Sequence, residues 1–201
     1  LAPRLMLERL VSRKLSRGSV AITGTNGKTT TTRMVSKILQ IAGVEAVNNS
    51  TGANLVTGVT AALVSGSSLL GKPSAEMGLF EVDEAALPEV ARRLRPRAVC
   101  LGNLFRDQLD RYGELELIAE RWRDAVDALP EASQLVFNAD DPQLAAIGTA
   151  RAGSVAFGLD DPRVARESLQ HAADSKYCLT CGAPLEYAAA YVGHLGDYRC
   201  P

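Results

Sequence analysis

The sequence predicts an α/β fold: a mostly parallel sheet covered by helices, organised around a phosphate-binding loop and followed by the start of a small zinc ribbon. Three observations predict it. Apolar runs of strand length alternate with stretches of helical period from Ser19 to Asp160, as in strands joined by crossover helices. The first run opens directly into a glycine-bearing turn and a helix, ITGTNGKTTTT at 22–32. Past Asp160 the periodicity fades, and a CxxC pair appears at Cys178 and Cys181.

Each element follows from its local pattern. Residues 3–16 place Leu7, Leu10, Val11 and Leu15 at helical spacing, with Arg4, Arg9, Arg13 and Lys14 on other faces. They predict an amphipathic N-terminal helix over 1–17, its basic face solvated or, in a second reading, against an anionic membrane surface. SVAIT then predicts a buried strand, Thr29 to Ile41 a helix closed by Gly43, VEAV a short strand and LVTGVTAALV an apolar helix. MGLFEV, RAVCL, QLVFN and GSVAFG continue the strands, with ALPEVARRL, ELELIAERWRDAVDAL and a helix opened by Pro142 between them. Residues 18–170 make the nucleotide-binding domain on this reading, and 171–201 an incomplete zinc ribbon. The chain opens on Leu1 and stops inside the cysteine motif at Pro201, so a longer protein with a C-terminal domain is expected.

Composition narrows the function classes. Of 201 residues, 22 are basic and 23 acidic, a formal net charge of -1, which argues against a nucleic-acid partner. Membrane-spanning runs and a secretory leader are not evident, so a cytoplasmic location is expected, with peripheral contact at the inner membrane face as the variant.

Ligands in open parallel sheets sit beyond the carboxyl ends of the strands, so residues there carry the candidate chemistry. Ile22 stands where the pattern GxxxxGK[ST] has its first glycine. Gly24 and Gly27 nevertheless let backbone amides turn toward phosphate oxygens, and Thr25, Asn26 and Thr30 complete the loop and first helical turn. Lys28 supplies a mobile cation, and Thr29 a hydroxyl for magnesium. At the end of the MGLFEV strand sit Glu81, Asp83 and Glu84. Glu81 is the candidate magnesium ligand, while the other two equally suit a helix N-terminus. GNLFRDQLDRYGE brings Asn103, Arg106, Asp107, Gln108, Asp110 and Arg111 to another strand end, suited to handling a transferred phosphoryl group. At the end of QLVFN, Asn138 suits an adenine edge. Asp141 is a nucleotide-site candidate that could equally cap the helix opened by Pro142.

Cys100 reads as a core thiol. CLTCG is a knuckle whose thiolates can grip zinc, and Cys200 follows at zinc-ribbon spacing. A fourth ligand would fall beyond Pro201, or be His194. A redox CxxC is the rival reading, but that motif usually opens a helix after a strand.

Taken together, TGTNGKTT, the glutamate after MGLF, the N-then-DQLD segment and NADDP resemble the Mur ligase family, ATP-dependent amide-forming enzymes of peptidoglycan synthesis. The resemblance covers residues 19–160 and accounts for the missing glycine. It implies the family's central domain, with ATP and Mg2+ as cofactors, Lys28 on the terminal phosphates, Thr29 and Glu81 on magnesium, and Asn138 on adenine. With Glu81, Arg106 and Asp107, Lys28 would stabilise the transferring phosphoryl group. Most members carry a histidine in DHLD where this chain has Gln108. The wording NLFRDQLDRYGE is similar to the MurT-like branch, which bears a four-cysteine structural zinc ribbon. That branch amidates the D-glutamate α-carboxylate of lipid II through an acyl phosphate, using ammonia from a GatD-type glutaminase. An amino-acid ligase of Mur or folylpolyglutamate type, or a nucleotide-binding module without ligase chemistry, is the alternative.

Overall fold

The computed structural model describes residues 14–49, 54–106, 114–166 and 175–201. Most of the expected N-terminal helix, and the segment holding Asp107, Gln108, Asp110 and Arg111, lie outside the described residues.

The predicted elements form in order: β1 (Ser19–Thr23), α1 (Lys28–Ile41), β2 (Ala46–Asn48), α2 (Val56–Ser65), β3 (Met77–Glu81), α3 (Leu87–Leu94), β4 (Ala98–Leu101), α4 (Glu114–Asp127), β5 (Gln134–Asn138), α5 (Pro142–Ala150) and β6 (Val155–Phe157). Local chemistry sets several boundaries. Pro142 occupies the first turn of α5 behind the capping carboxylate of Asp141, where a missing N–H has no consequence. Arg95 adopts the left-handed conformation that ends α3, and Gly43 (φ 72°) turns the chain after α1.

The strands join into one six-stranded sheet in the order β2-β3-β1-β4-β5-β6, with parallel pairing throughout. β1 is central: Val20 pairs with Leu79 on one side and Ala98 on the other. The chain winds outward from β1 in both directions, so the carboxyl ends of β1, β3 and β4 frame the crevice where such sheets bind ligands.

Coverage is unequal. The main core contains the fully buried Leu63, Phe80, Leu87, Leu101, Leu104, Trp122, Leu135, Leu144 and Ile147, drawn from α2, α3, α4, α5 and the strands. Right-handed crossovers running in opposite directions from β1 put α1 on the other face. Of α1 only Thr32 is buried, and Met34, Ile38 and Ile41 are exposed. The expectation of helices covering both faces therefore holds fully for one face only.

Residues 175–201 form an antiparallel hairpin of β7 (Glu186–Val192) and β8 (Leu195–Arg199). This hairpin docks on the body. Gly196 N–H donates to Asp140 O at 3.0 Å, Arg166 N–H to Ala190 O at 2.7 Å, and the Tyr198 hydroxyl to Ala139 O at 3.2 Å. Among the described residues no helix is long and apolar enough to cross a membrane.

Candidate functional site

The loop between β1 and α1 sits at the crevice and is pinned there by the segment after β4. Thr25 N–H donates to Asn103 O at 3.0 Å. The Asn103 amide brackets Asn26, its Oδ1 accepting from Asn26 N at 2.8 Å and its Nδ2 donating to Asn26 O at 3.0 Å. Thr25 Oγ1 accepts from Phe105 N at 3.0 Å and lies 3.2 Å from Phe105 O as donor. Asn103, expected among the residues handling the transferred phosphoryl group, is engaged with the loop itself.

Two glycines make this possible. Gly24 has φ 150°, and a Cβ there would lie 3.0 Å from Asn103 N and 3.2 Å from its carbonyl oxygen. Gly27 starts α1 in the left-handed conformation at φ 78°, an unstrained geometry only for glycine. The first-turn amides of Lys28, Thr29 and Thr30 have no acceptor a turn earlier, and the positive end of the helix dipole lies among them. That is an anion-binding geometry.

Thr29 Oγ1 donates to Glu81 Oε1 at 2.9 Å, so two elements bring a hydroxyl and a carboxylate together beside the loop. Asn49 fixes the Glu81 backbone from both sides, accepting from its N–H at 2.9 Å and donating to its carbonyl at 2.7 Å. These are hard oxygen donors of the kind magnesium prefers. An open cavity of about 180 Å³ runs from Thr29 and Glu81 along α1, past Arg33 and Lys37.

Lys28 Nζ lies 3.0 Å from Glu84 Oε2, both side chains largely buried, and also donates to Gly24 O and Thr25 O. Glu84 is therefore the counter-charge of Lys28. Its carbonyl accepts from Trp122 Nε1 at 2.8 Å, which ties the loop after β3 to the core. Asp83 caps its own turn by accepting from Ala85 N at 3.1 Å, the simpler of its two expected roles.

Asn138 and Asp141 are more occupied than the sequence suggested. The Asn138 amide donates to Gly102 O at 3.0 Å and accepts from Asp140 N at 3.0 Å, bridging the ends of β4 and β5. Asp141 is fully buried. Its Oδ1 accepts from Gln143 N at 2.9 Å and Leu144 N at 3.4 Å, and Oδ2 accepts from Leu104 N at 2.8 Å. It caps α5 and anchors the segment after β4. Beside Asn138, a cavity of about 520 Å³ opens between Ala139, Asp140 and Leu159 of the body and Tyr191 and Tyr198 of the hairpin. Arg106 is exposed at the rim of the described segment.

The sulfurs of Cys178, Cys181 and Cys200 lie within 4.8 Å of one another, Cys181 and Cys200 at 3.3 Å. Thiolates around one tetrahedral zinc with bonds of about 2.3 Å stand roughly 3.8 Å apart, so the donor set fits that ion. The turn is a knuckle: Gly182 N–H donates to Cys178 O at 2.9 Å, and Cys178 N–H to Ala183 O at 2.8 Å. Amides of Cys181 and Thr180 aim at the Cys178 sulfur and bring its pKa down to about 7, while sharing hydrogens with Cys181 and Cys178 pushes Cys200 up to about 12. Cys100, on β4, has its thiol pushed up by burial.

His194 is not part of that cluster. It sits in the β7–β8 turn, six residues along an extended strand from Cys200, roughly 20 Å at about 3.3 Å per residue. Its Nε2 is 3.3 Å from Asp141 Oδ2 and its ring 4.7 Å from that of Phe105.

The geometry agrees with what the chain is similar to. Residues 22–197 match the family model described as the Mur ligase middle domain. The chain is 31% identical over 182 residues to the Staphylococcus aureus (strain COL) lipid II isoglutaminyl synthase (glutamine-hydrolyzing) subunit MurT, covering 90% of this chain and 40% of that relative. It is 33% identical, with the same coverage, to the MurT subunit of Streptococcus pneumoniae (strain ATCC BAA-255 / R6). It therefore spans well under half the length of these relatives. In fold it is similar to the MurF ligase of Thermotoga maritima in complex with ADP, with TM-score 0.60 and 21% identity over 80% of this chain and 38% of that one. With the loop, its pinning segment and the Thr29–Glu81 pair all inside the matched span, the chain belongs to the Mur ligase family and contains its middle domain.

Proposed function

We propose that this chain is the nucleotide-binding part of an ATP-dependent carbon–nitrogen ligase of peptidoglycan synthesis, the synthetase subunit that amidates lipid II. The observation that carries it is the Thr29–Glu81 pair, 2.9 Å apart beside a glycine loop and Lys28. It matches a triphosphate with its magnesium, and the relatives named as MurT subunits supply the reaction class.

ATP would lie with its phosphates on the amides of 27–30. Lys28 would leave Glu84 for the terminal phosphates, and Thr29 and Glu81 would hold magnesium. Bound there, the ion neutralises developing charge on the phosphates. The adenine side of the site is assigned to the cavity beside Asn138, with Asp141 acting through its cap. Arg106 and Asp107 are assigned to the transferring phosphoryl group. An oxygen of the D-glutamate α-carboxylate attacks the γ-phosphorus and ADP leaves. Ammonia then attacks the acyl carbon, phosphate departs with the C–O electron pair, and the amide of D-isoglutamine forms after loss of a proton. Ammonia is a minor species at neutral pH, which favours direct delivery by a GatD-type glutaminase. The three cysteines, with a fourth ligand, would hold a structural zinc, because a site filled by protein thiolates leaves no position for substrate. The protein would work in the cytoplasm, meeting lipid II at the inner membrane face.

The test uses the longer protein. It is incubated with ATP, magnesium and a lipid II analogue, with ammonium salt or free amino acids, and the products are weighed. A product lighter by the acid-to-amide difference, formed only with ammonium, is expected. Gain of an amino-acid residue would establish a Mur- or folylpolyglutamate-type ligase, and binding of ATP without product a nucleotide-binding module.

A further inference from the structure

The tip of the cysteine-bearing hairpin makes two contacts with residues that hold the phosphate loop. His194 is fully buried in the β7–β8 turn, with its backbone carbonyl 2.9 Å from the Tyr187 hydroxyl. Its ring faces two residues of the body, Nε2 3.3 Å from Asp141 Oδ2 and the ring centre 4.7 Å from that of Phe105. The neighbouring Gly193, at φ 58°, has room for no side chain, since a Cβ there would lie 2.6 Å from the Phe105 ring. Both body residues are wired to the loop. Asp141 Oδ2 accepts from Leu104 N at 2.8 Å, and Phe105 N, the next amide, donates to Thr25 Oγ1 at 3.0 Å.

We propose that His194 is a positioning residue for the phosphate loop: by packing on Phe105 and Asp141 it fixes the 104–105 backbone against which Thr25 is held. The hairpin is then a built-in brace of the nucleotide site. The cysteine cluster, at the hairpin's far end, stiffens the brace when it holds a metal. Ring contacts and packed side chains transmit such a constraint because neither can shift without opening a gap in a packed interior. This inference rests on the nucleotide-binding reading proposed above.

The experiment measures ADP·Mg2+ binding by calorimetry in the longer protein, with zinc content and hydrogen exchange of the 24–28 amides followed in parallel. Wild-type binding tests the nucleotide reading, and comparison among variants tests the brace. His194→Ala is expected to weaken binding on the order of tenfold and to speed exchange at 24–28, with zinc content unchanged. His194→Gln, which keeps a polar side chain near Asp141, should recover most of the affinity. If His194→Ala does not fold, Phe105→Leu, which keeps apolar volume but removes the ring contact, is expected to weaken binding roughly threefold to tenfold. Unchanged affinity and exchange in a folded variant with a lowered melting temperature would overturn the proposal and leave His194 a purely structural residue. So would a His194→Gln variant as weak as His194→Ala.

Discussion

Replacing Gly24 by alanine tests the loop geometry most directly. The backbone there has φ 150°, and the added methyl would lie 3.0 Å from Asn103 N and 3.2 Å from Asn103 O. Asn103 has little freedom to retreat, because its carbonyl accepts from Thr25 N and its side chain holds Asn26 at both ends. Forcing an L-residue into that conformation costs about 1–3 kcal/mol, and overpacking against fixed backbone about 1–3 more. The total of about 2–6 kcal/mol must appear in one of two places. If the loop keeps its shape, the free energy of unfolding falls by that amount. If the loop swings away, it loses Thr25 and Asn26 from Asn103, and nucleotide affinity falls tenfold for every 1.4 kcal/mol or so. Urea unfolding and ADP·Mg2+ calorimetry on one preparation read both. A second variant, Asn103→Ala, frees the loop, so the two substitutions together should cost less than their sum. A Gly24→Ala protein whose stability stays within ~0.5 kcal/mol and whose affinity stays within ~twofold of wild type would refute the argument.

Three further outcomes are expected. Glu81→Gln keeps the acceptor for Thr29 but removes the charge, so magnesium should lose about tenfold or more of its enhancement of ADP binding, while magnesium-free binding changes little; titrations with and without the ion read this, and surviving magnesium dependence would exclude Glu81 as the ligand. In zinc-free protein, Cys178 with a pKa near 7 gains its reactive thiolate as pH rises through neutrality, whereas Cys200, raised to about 12, stays protonated; iodoacetamide mapped by mass spectrometry should therefore label Cys178 first at pH 7.5, and the reverse order would mean that the knuckle amides do not face Cys178. The chain has one tryptophan, and Trp122 donates to the carbonyl of Glu84, the residue that pairs with Lys28, so its emission should change saturably with ADP·Mg2+; a flat signal alongside calorimetric binding would show that Lys28 does not leave Glu84.

Much of the fold was legible because its signals are local. Strand and helix periods differ, and Gly43 and Pro142 mark boundaries by their own backbone restrictions. The Thr29–Glu81 pair was legible by a rule of topology, since Thr29 comes after β1 and Glu81 ends β3 at the same end of a parallel sheet. What escaped was tertiary pairing. Asn103 turns its amide onto the backbone of Asn26, and Asn138 turns its own onto Gly102. A sequence shows that an amide is present, not which of several nearby partners it meets. Asp141 offered two roles, and only the approach of Leu104 N and His194 reveals how fully its oxygens are engaged. Glu84 as partner of Lys28 and the docking of the hairpin leave no periodic trace at all. The exposed Met34, Ile38 and Ile41 belong to the same class, because helical spacing specifies a stripe but not what lies against it.

The central position of β1 also governs when the nucleotide site can exist during synthesis. Its neighbours in the sheet, Gly78–Glu81 and Ala98–Leu101, emerge from the ribosome long after Ser19–Thr23, and Asn103, which pins the loop, emerges later still. Parallel pairings of this separation are slow to form because loop-closure entropy must be overcome before any contact rewards it. The growing chain therefore carries an unpaired, apolar SVAIT segment until residues 78–101 have been made, open to mispairing and to chaperones. On the nucleotide-binding reading proposed above, nucleotide would find no complete loop until β4 has docked, so it would act on the end of assembly, drawing the last-formed intermediate toward the folded state by mass action.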